Sequence, residues 1–350
     1  MSKQKEYDDF EDYFEDDIED DNFQDDDEDD SNDNQPITKS ENKVMKEKEK
    51  TIKRKEPGDI VNNIYKIIEK IGVGGNAVVY LAENTKTKQQ YALKEIQKNK
   101  NSLSFIENEI KIGLYLYDSP YICKQKETHN DEDFFYIFFE YSKYGDLFDF
   151  LTAPHKTDGM SNHKKLILTD VIIDLTKNII YDLCMALKYC HKKNICHNDI
   201  KPENILIFDN ENEDTKSVRH QIYKLTDLGR STDGRKYHSN HIGTRQYSAP
   251  ETFFDEGVIC YKSDMWSVGI VMFILLSAMM PFKSENFAGD LEDQKTINDI
   301  IATVIQYQHK DEPEKTKYKN AVNLMRQLLQ LNPNKRITAE QALNHPFLKY

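Results

Sequence analysis

Between Ile60 and Glu140 the apolar positions come in short β-branched and aromatic runs, Ile64–Ile71, Ala77–Glu83, Gln90–Ile96 and Phe134–Glu140, which predict strands. One stretch breaks that rhythm: Ile106, Ile110, Leu114 and Tyr117 recur at helical spacing. A small sheet with one helix is the expected result. After Gly145-Asp146 helical periodicity takes over, in segments at about 170–192, 263–280, 295–309 and 316–330, and a second, mainly helical domain is expected. Thr152–Lys165 and Asp209–His220 carry no apolar period and read as surface insertions. Met265–Phe282 is apolar enough to be weighed as a membrane span, but Asp264 opens it and Pro281 nearly closes it. A fully buried core helix has the same composition and is the reading adopted.

Charge separates the first 59 residues from the rest. Residues 1–35 hold 18 Asp and Glu against Lys3 and Lys5, while the whole chain is −14, so the body beyond residue 59 is close to neutral. So acidic a stretch, with few apolar groups, cannot offset the entropy of folding. Residues 1–59 are therefore expected to be a disordered acidic arm and a mixed-charge linker ending at Pro57-Gly58, with order starting near Ile60. Tyr7, Phe10, Phe14 and Ile18 are spaced helically among the carboxylates. That pattern suits docking on a basic partner, and equally a solubilising tail with scattered aromatics. No nucleic-acid or membrane partner is expected.

The five cysteines are odd in number and contain no C-x-x-C pair, so neither a disulfide framework nor a zinc site is expected. Nothing near Met1 resembles a signal peptide, and Ser2 stands where myristoylation requires glycine. A reducing compartment follows: the cytoplasm, or the nucleus if Lys53-Arg54-Lys55 serves as an import signal.

Three segments carry chemistry. Gly72-Val73-Gly74-Gly75-Asn76-Ala77-Val78-Val79 lies between two predicted strands, where glycines would let backbone N–H groups close over phosphate oxygens. A hairpin turn without a ligand is the plainer reading. A dinucleotide-binding turn would need a helix immediately afterwards, and a strand follows instead. Lys94 ends an apolar strand and needs a phosphate or carboxylate partner, with Glu109 offered by the next helix and Glu107 as the second choice. His197-Asn198-Asp199-Ile200-Lys201-Pro202-Glu203-Asn204 packs a carboxylate, an ammonium and an amide into six residues before an apolar strand. Phosphoryl transfer needs those three groups: a base for the hydroxyl, a cation on the moving phosphate and an oxygen ligand for Mg²⁺. Asp227, before Leu228-Gly229, offers a second Mg²⁺ ligand, with glycine permitting the turn.

In this order, and together with Gly243-Thr244, Ala249-Pro250-Glu251, Asp264, Trp266, Gly269, Arg336 and His345-Pro346-Phe347, residues 60–350 resemble the protein kinase catalytic domain. The resemblance implies an α+β, two-lobed fold: a small lobe of about 60–140 with an antiparallel sheet and one regulatory helix, and a larger, mainly helical lobe of about 141–350. It implies ATP and Mg²⁺ as cofactors, Asp199 as catalytic base, Lys201 as its catalytic companion, and Asn204 and Asp227 as metal ligands. Ile71, Gly72, Val73, Gly74, Gly75, Asn76, Ala77, Val78 and Val79 would cover the nucleotide, and Ala92, Lys94, Glu109, Glu140 and Ser142 would complete its site. Phe139 would stand as gatekeeper.

Lys201 and Thr244 follow the serine/threonine pattern, so protein substrates are implied. Asp146 and Glu203 resemble carboxylates that read basic residues upstream of the target, although Ile274 stands where some such enzymes keep a further Glu. Glu251 would pair with Arg336, and Asp264 would brace the catalytic loop. The pattern is most similar to the calcium/calmodulin-dependent group, without its regulatory tail, and a monomer is expected. A pseudokinase scaffold, or a kinase domain that merely anchors the arm, are the competing readings.

Four positions depart from the family. Ala77 replaces the third loop glycine. Asn198 replaces an arginine whose charge normally meets an activation-loop phosphate, and Asn240 falls where relatives carry the phosphorylated threonine. Activity independent of that phosphorylation is therefore expected. Gly113, four residues after Glu109, replaces a large apolar side chain and should leave a gap and a loosely held helix.

Overall fold

The computed structural model describes residues 53–74, 77–98, 103–153, 170–210, 219–234, 243–253, 260–282, 293–306 and 315–349. Lys55–Tyr350 form one unit, and Met1–Arg54 are grouped apart from it. The acidic arm, most of both expected insertions, Gly75, Asn76 and Asn240 lie outside the described residues.

A six-stranded antiparallel sheet occupies the first part of the large unit, built from β1 (Ile60–Val61), β2 (Tyr65–Val73), β3 (Ala77–Asn84), β4 (Gln90–Gln97), β5 (Gln125–Asn130) and β6 (Phe134–Glu140) in the order β1-β2-β3-β4-β6-β5. Strand alternation gives it two apolar faces. Tyr65, Ile67, Tyr80, Leu93, Tyr136 and Phe138 pack together in one cluster. Ile96 and Ile137 pack with Ile106 of α1 (Leu103–Tyr115), the helix between β4 and β5. Two register shifts in the β2–β3 pair lie on the way to the glycine loop, where irregular pairing adds twist.

The end of the linker, just before Ile60, is held on the sheet. The reason is a buried carboxylate: Glu95 accepts a hydrogen bond from the Lys55 backbone N–H at 3.1 Å, and the Tyr80 hydroxyl donates to the Lys55 carbonyl at 2.7 Å. Gly58 and Asp59 then bond to both backbone groups of Ile67 at 2.9 Å, so the polar end of the linker is held by the sheet.

The rest of the unit is mainly helical: α2 (Leu147–Thr152), α3 (Asp170–Lys192), α4 (Cys260–Ser277), α5 (Gln294–Gln306), α6 (Lys315–Leu328) and α7 (Ala339–Leu343). Two short ladders join it, β7 (Ile195–Cys196) with β10 (Thr232–Asp233) and β8 (Ile205–Asp209) with β9 (Gln221–Leu225). Among the described residues no helix is long and apolar enough to cross a membrane. In α4, Met265, Trp266, Val268, Ile270 and Val271 are all 0% exposed, as a helix apolar on every side must be. This α+β architecture, a sheet with one helix followed by a mainly helical part, is the one the motifs imply.

Cys196 corrects one expectation, because it is disulfide-bonded, whereas Cys123, Cys184 and Cys190 are free and buried. Local cysteine spacing cannot register a pairing made by the fold. The Cys260 side chain lies outside the described residues.

Arg336 is the largest fully buried charged side chain among the described residues. Its guanidinium is 0% exposed and meets Glu251 in a fork, Nη1 to Oε1 at 2.5 Å and Nη2 to Oε2 at 2.9 Å, and it lies 5.1 Å from the Trp266 ring centre. The Gln330 and Lys262 carbonyls accept its remaining N–H groups. Removing the carboxylate would strand a buried cation. Glu251→Ala should therefore lower stability by about 3–5 kcal/mol, read by urea unfolding, with a loss under 1 kcal/mol as the contrary result.

Candidate active site

A lysine with its side chain 18% exposed needs neutralisation, and Lys94 has it from two carboxylates. Its Nζ donates to Glu109 Oε1 and Oε2 at 2.6 and 2.9 Å and to Asp227 Oδ1 at 2.9 Å. Burial pulls the ammonium toward the neutral form, but Glu109 and Asp227 outweigh it and raise its pKa. Strand β4, helix α1 and the segment after β9 thus converge on one cation. Glu109, rather than Glu107, is the partner.

Asp227 sits in the left-handed region, with φ 61° and ψ 76°. The turn is made by the aspartate itself, so the expectation that glycine permits it is corrected. What Gly229 provides is closeness: a Cβ there would lie 3.3 Å from Glu109 Oε2. Burial raises the Asp227 pKa, yet the charge and hydrogen bond of Lys94 prevail and hold it below the ordinary carboxylate value. Leu228 is buried behind it. Sequence reading missed a tie beside Glu109: Asn108 Nδ2 donates to the Ser231 carbonyl at 2.8 Å, fastening α1 to the segment after Asp227.

The catalytic-loop candidates meet in a second cluster. Asp199 Oδ1 accepts from the Thr244 backbone N–H at 2.9 Å and its hydroxyl at 2.7 Å, and Asp199 Oδ2 lies 2.9 Å from Lys201 Nζ. Lys201 also donates to the Thr244 hydroxyl at 2.7 Å. Asn204 Nδ2 donates to the Asp199 carbonyl at 2.7 Å and to Oδ2 at 3.2 Å. Burial raises the Asp199 pKa, but the hydrogen bonds from Thr244 and Lys201 outweigh it, so the net shift is downward. The loop is held from beneath by Asp264, 1% exposed, which accepts from the backbone N–H of His197 at 3.0 Å and of Asn198 at 2.8 Å, and meets His191 Nε2 at 2.8 Å. His197 Nε2 in turn lies 3.0 Å from the Thr226 carbonyl, linking this loop to the residue before Asp227.

Asn198 suits its backbone, since φ is 65° and asparagine tolerates the left-handed region. Its Nδ2 donates to the Arg230 carbonyl and the Thr232 hydroxyl, both at 2.9 Å. Beside it, Gly243 has φ 110°, and a Cβ there would fall 2.2 Å from the Asn198 carbonyl oxygen. Glycine is obligatory on both counts.

The nucleotide-loop candidates are placed at the end of the β2–β3 hairpin, with Gly72 opposite Val79, Val73 opposite Val78, and Gly74 N–H bonded to the Ala77 carbonyl at 2.8 Å. Ile71 and Val73 are exposed apolar side chains. Gly75 and Asn76 lie outside the described residues. Ala92 stands in register between Leu81 and Phe139. Glu140 Oε1 meets Lys224 Nζ at 2.8 Å and the Lys124 N–H at 2.9 Å, and the Ser142 hydroxyl donates to the Ile207 carbonyl at 2.6 Å. These two side chains tie the lobe junction together.

The oxygen donors suit a hard cation. Lys94 occupies one Asp227 oxygen and Asn204 commits its nitrogen to Asp199, while Asp227 Oδ2 and Asn204 Oδ1 have no hydrogen bond among the described residues. No group of three His, Cys, Asp or Glu that could hold a metal alone occurs among the described residues. A metal here would share its coordination with substrate phosphates, as Mg²⁺ commonly does.

Comparison with known proteins decides the family. The protein kinase domain model matches residues 65–348. The chain belongs to the protein kinase family. It is 33% identical over 291 residues to the serine/threonine-protein kinase DCLK3 of Mus musculus, covering 83% of this chain and 33% of that protein. It is 32% identical over 290 residues to the meiosis-specific serine/threonine-protein kinase mek1 of Schizosaccharomyces pombe, covering 79% and 57%. With calcium-dependent protein kinase 27 of Arabidopsis thaliana it shares 28% identity over 313 residues, covering 88% and 59%. The chain thus spans between a third and three-fifths of these relatives' lengths.

Gly243 gives this kinase-domain site a sharp test. Gly243→Ala must displace the Asn198 backbone and with it Asp199, so phosphoryl transfer should fall by about 100-fold. ATP affinity, measured by calorimetry, should change less than threefold; unchanged transfer would contradict the geometry.

Proposed function

We propose that this protein is a serine/threonine protein kinase that moves the γ-phosphoryl group of ATP to a hydroxyl of a protein substrate. The observation that carries the reading is the Asp199, Lys201, Asn204 and Thr244 cluster beside the Lys94, Glu109 and Asp227 triad. Asp199, with its lowered pKa, is ionised at neutral pH and can orient the attacking hydroxyl and accept its proton. Lys201, 2.9 Å from that carboxylate, brings positive charge to the same point. Lys94 would turn from Asp227 toward the nucleotide phosphates while keeping Glu109. Asp227 and Asn204 would hold Mg²⁺, which supplies charge neutralisation on the phosphate oxygens.

Two finer readings belong to the proposal. Activity does not await activation-loop phosphorylation, because Asn198 grips Arg230 and Thr232 through neutral hydrogen bonds where a charged residue would need a phosphate. Substrates carry basic residues upstream of the target. In support, Glu203 is exposed, and its charge adds to burial in raising the pKa of Asp146. Burial and the charges of Glu203 and Asp199 also push the Tyr247 hydroxyl up to about 12, which puts all three in one electrostatic neighbourhood.

The experiment is γ-phosphate transfer from Mg-ATP to an arrayed serine and threonine peptide library, using phosphatase-treated enzyme beside Asp199→Asn. The expected result is incorporation by the treated enzyme, favouring peptides with upstream Arg or Lys, and at least a hundredfold less by the variant. Silence in both with ATP still bound would favour a nucleotide-binding scaffold. Activity lost only after phosphatase treatment would refute phosphorylation independence.

A further inference from the structure

Residues 55–59 precede the stretch that matches the protein kinase domain model, which begins at Tyr65, yet they touch four strands of the sheet. Gly58 N–H donates to the Ile67 carbonyl in β2 and Ile67 N–H donates to the Asp59 carbonyl, both at 2.9 Å. The Lys55 carbonyl accepts from the Tyr80 hydroxyl of β3 at 2.7 Å, and Lys55 N–H donates to Glu95 Oε2 of β4 at 3.1 Å. Lys55 Nζ lies 3.6 Å from Asp131 Oδ2 and 5.5 Å from the ring centre of Tyr136 in β6, and the Tyr136 hydroxyl donates to Asp131 at 2.6 Å. Between these ends a turn is closed by Glu56 N–H on Asp59 Oδ2 and Asp59 N–H on the Glu56 carbonyl.

The fastening point is unusual. Glu95 is 0% exposed in a strand of apolar neighbours, and a carboxylate there has to be met by donors. Lys55 N–H is one of them, so lifting the strap would leave a buried charge short of a hydrogen bond. Strand alternation sends Glu95 to the face opposite Lys94, the next residue along β4. Ile96 and Ile137 meet α1 on the Lys94 side, and residues 55–59 cover the other. The register carries the effect across the sheet. Val73, Val78, Glu95 and Tyr136 form one row, and Gly72, Val79, Lys94 and Ile137 form the next. The stem of the glycine loop and Lys94 therefore stand beside the row that Glu95 anchors.

We propose that Glu95 is a positioning residue for nucleotide binding: it fastens residues 55–59 as a strap across the sheet, and the fastened strap holds Lys94 and the glycine-loop stem in register. The inference rests on Lys94 and that loop meeting the nucleotide. Strap closure and ATP binding are then coupled, and each favours the other.

The test uses the full chain, with hydrogen exchange across residues 55–59 and Mg-ATP affinity by calorimetry. Glu95→Leu removes the acceptor and should speed exchange in the strap at least tenfold while weakening ATP binding by roughly tenfold. Glu95→Gln keeps an acceptor for Lys55 N–H and should stay within about threefold of wild type on both readouts. Tyr80→Phe, a milder change that removes only the bond to the Lys55 carbonyl, should move both in the same direction by roughly threefold. In the wild-type protein, saturating Mg-ATP should slow exchange in the strap by at least threefold. Faster strap exchange with unchanged ATP affinity in Tyr80→Phe or Glu95→Leu would reduce the strap to packing and overturn the proposal. So would ATP binding that leaves wild-type strap exchange unaltered. Neither readout needs turnover: a chain that binds no ATP fails the kinase reading, whereas one that binds ATP without slowing the strap fails this inference alone.

Discussion

A cation placed among apolar strands has to be matched by charge, and the site is organised around that requirement. Lys94 cannot stand in β4 alone, so α1 must present Glu109 and the segment after β9 must present Asp227. The two carboxylates come from opposite sides of the lobe junction. Their joint hold on one ammonium makes the alignment of the lobes an electrostatic condition, and it keeps Lys94 charged.

The same logic holds the catalytic loop. Asp264 is buried and satisfied by two backbone N–H groups of the loop and by His191, so the loop cannot shift without leaving a carboxylate unpaired. Asp199 is buried on this segment, with Thr244 on one of its oxygens and Lys201 on the other. Asn198 and Gly243 close the arrangement by using left-handed backbone that few residues adopt. Each device is local, and each is anchored on a helix, α1 or α4, that packs into the core.

Much of this was legible in the residues. The run Phe134–Glu140 is the strand β6 to the residue, and the helical segments at 170–192 and 316–330 match α3 and α6 to within two residues, because periodicity there is strong. The partner of Lys94 and the grouping of Asp199, Lys201 and Asn204 also followed from charge and spacing. β5 did not. Its sequence, Gln-Lys-Glu-Thr-His-Asn, has no apolar residue, and it is a strand because β6 offers it a ladder. Gln125, Asn108 and Lys224 were missed for a related reason: each acts through a partner distant in sequence, and nothing in their own neighbourhood marks them. Gly113 was noticed but misread: the expected gap is filled by Gln125, whose Oε1 lies 2.6 Å from where a Cβ would stand. A missing side chain on one element says nothing of what a neighbouring element inserts.

The measurement that bears most directly on this account is a double-mutant cycle of phosphoryl transfer on Lys94→Met and Glu109→Gln. Two residues that act as one unit lose little more together than either loses alone. The account predicts that the double variant is within about threefold of Lys94→Met, which itself loses at least a hundredfold in kcat/KM. Additive losses, or substantial transfer by Lys94→Met, would contradict it.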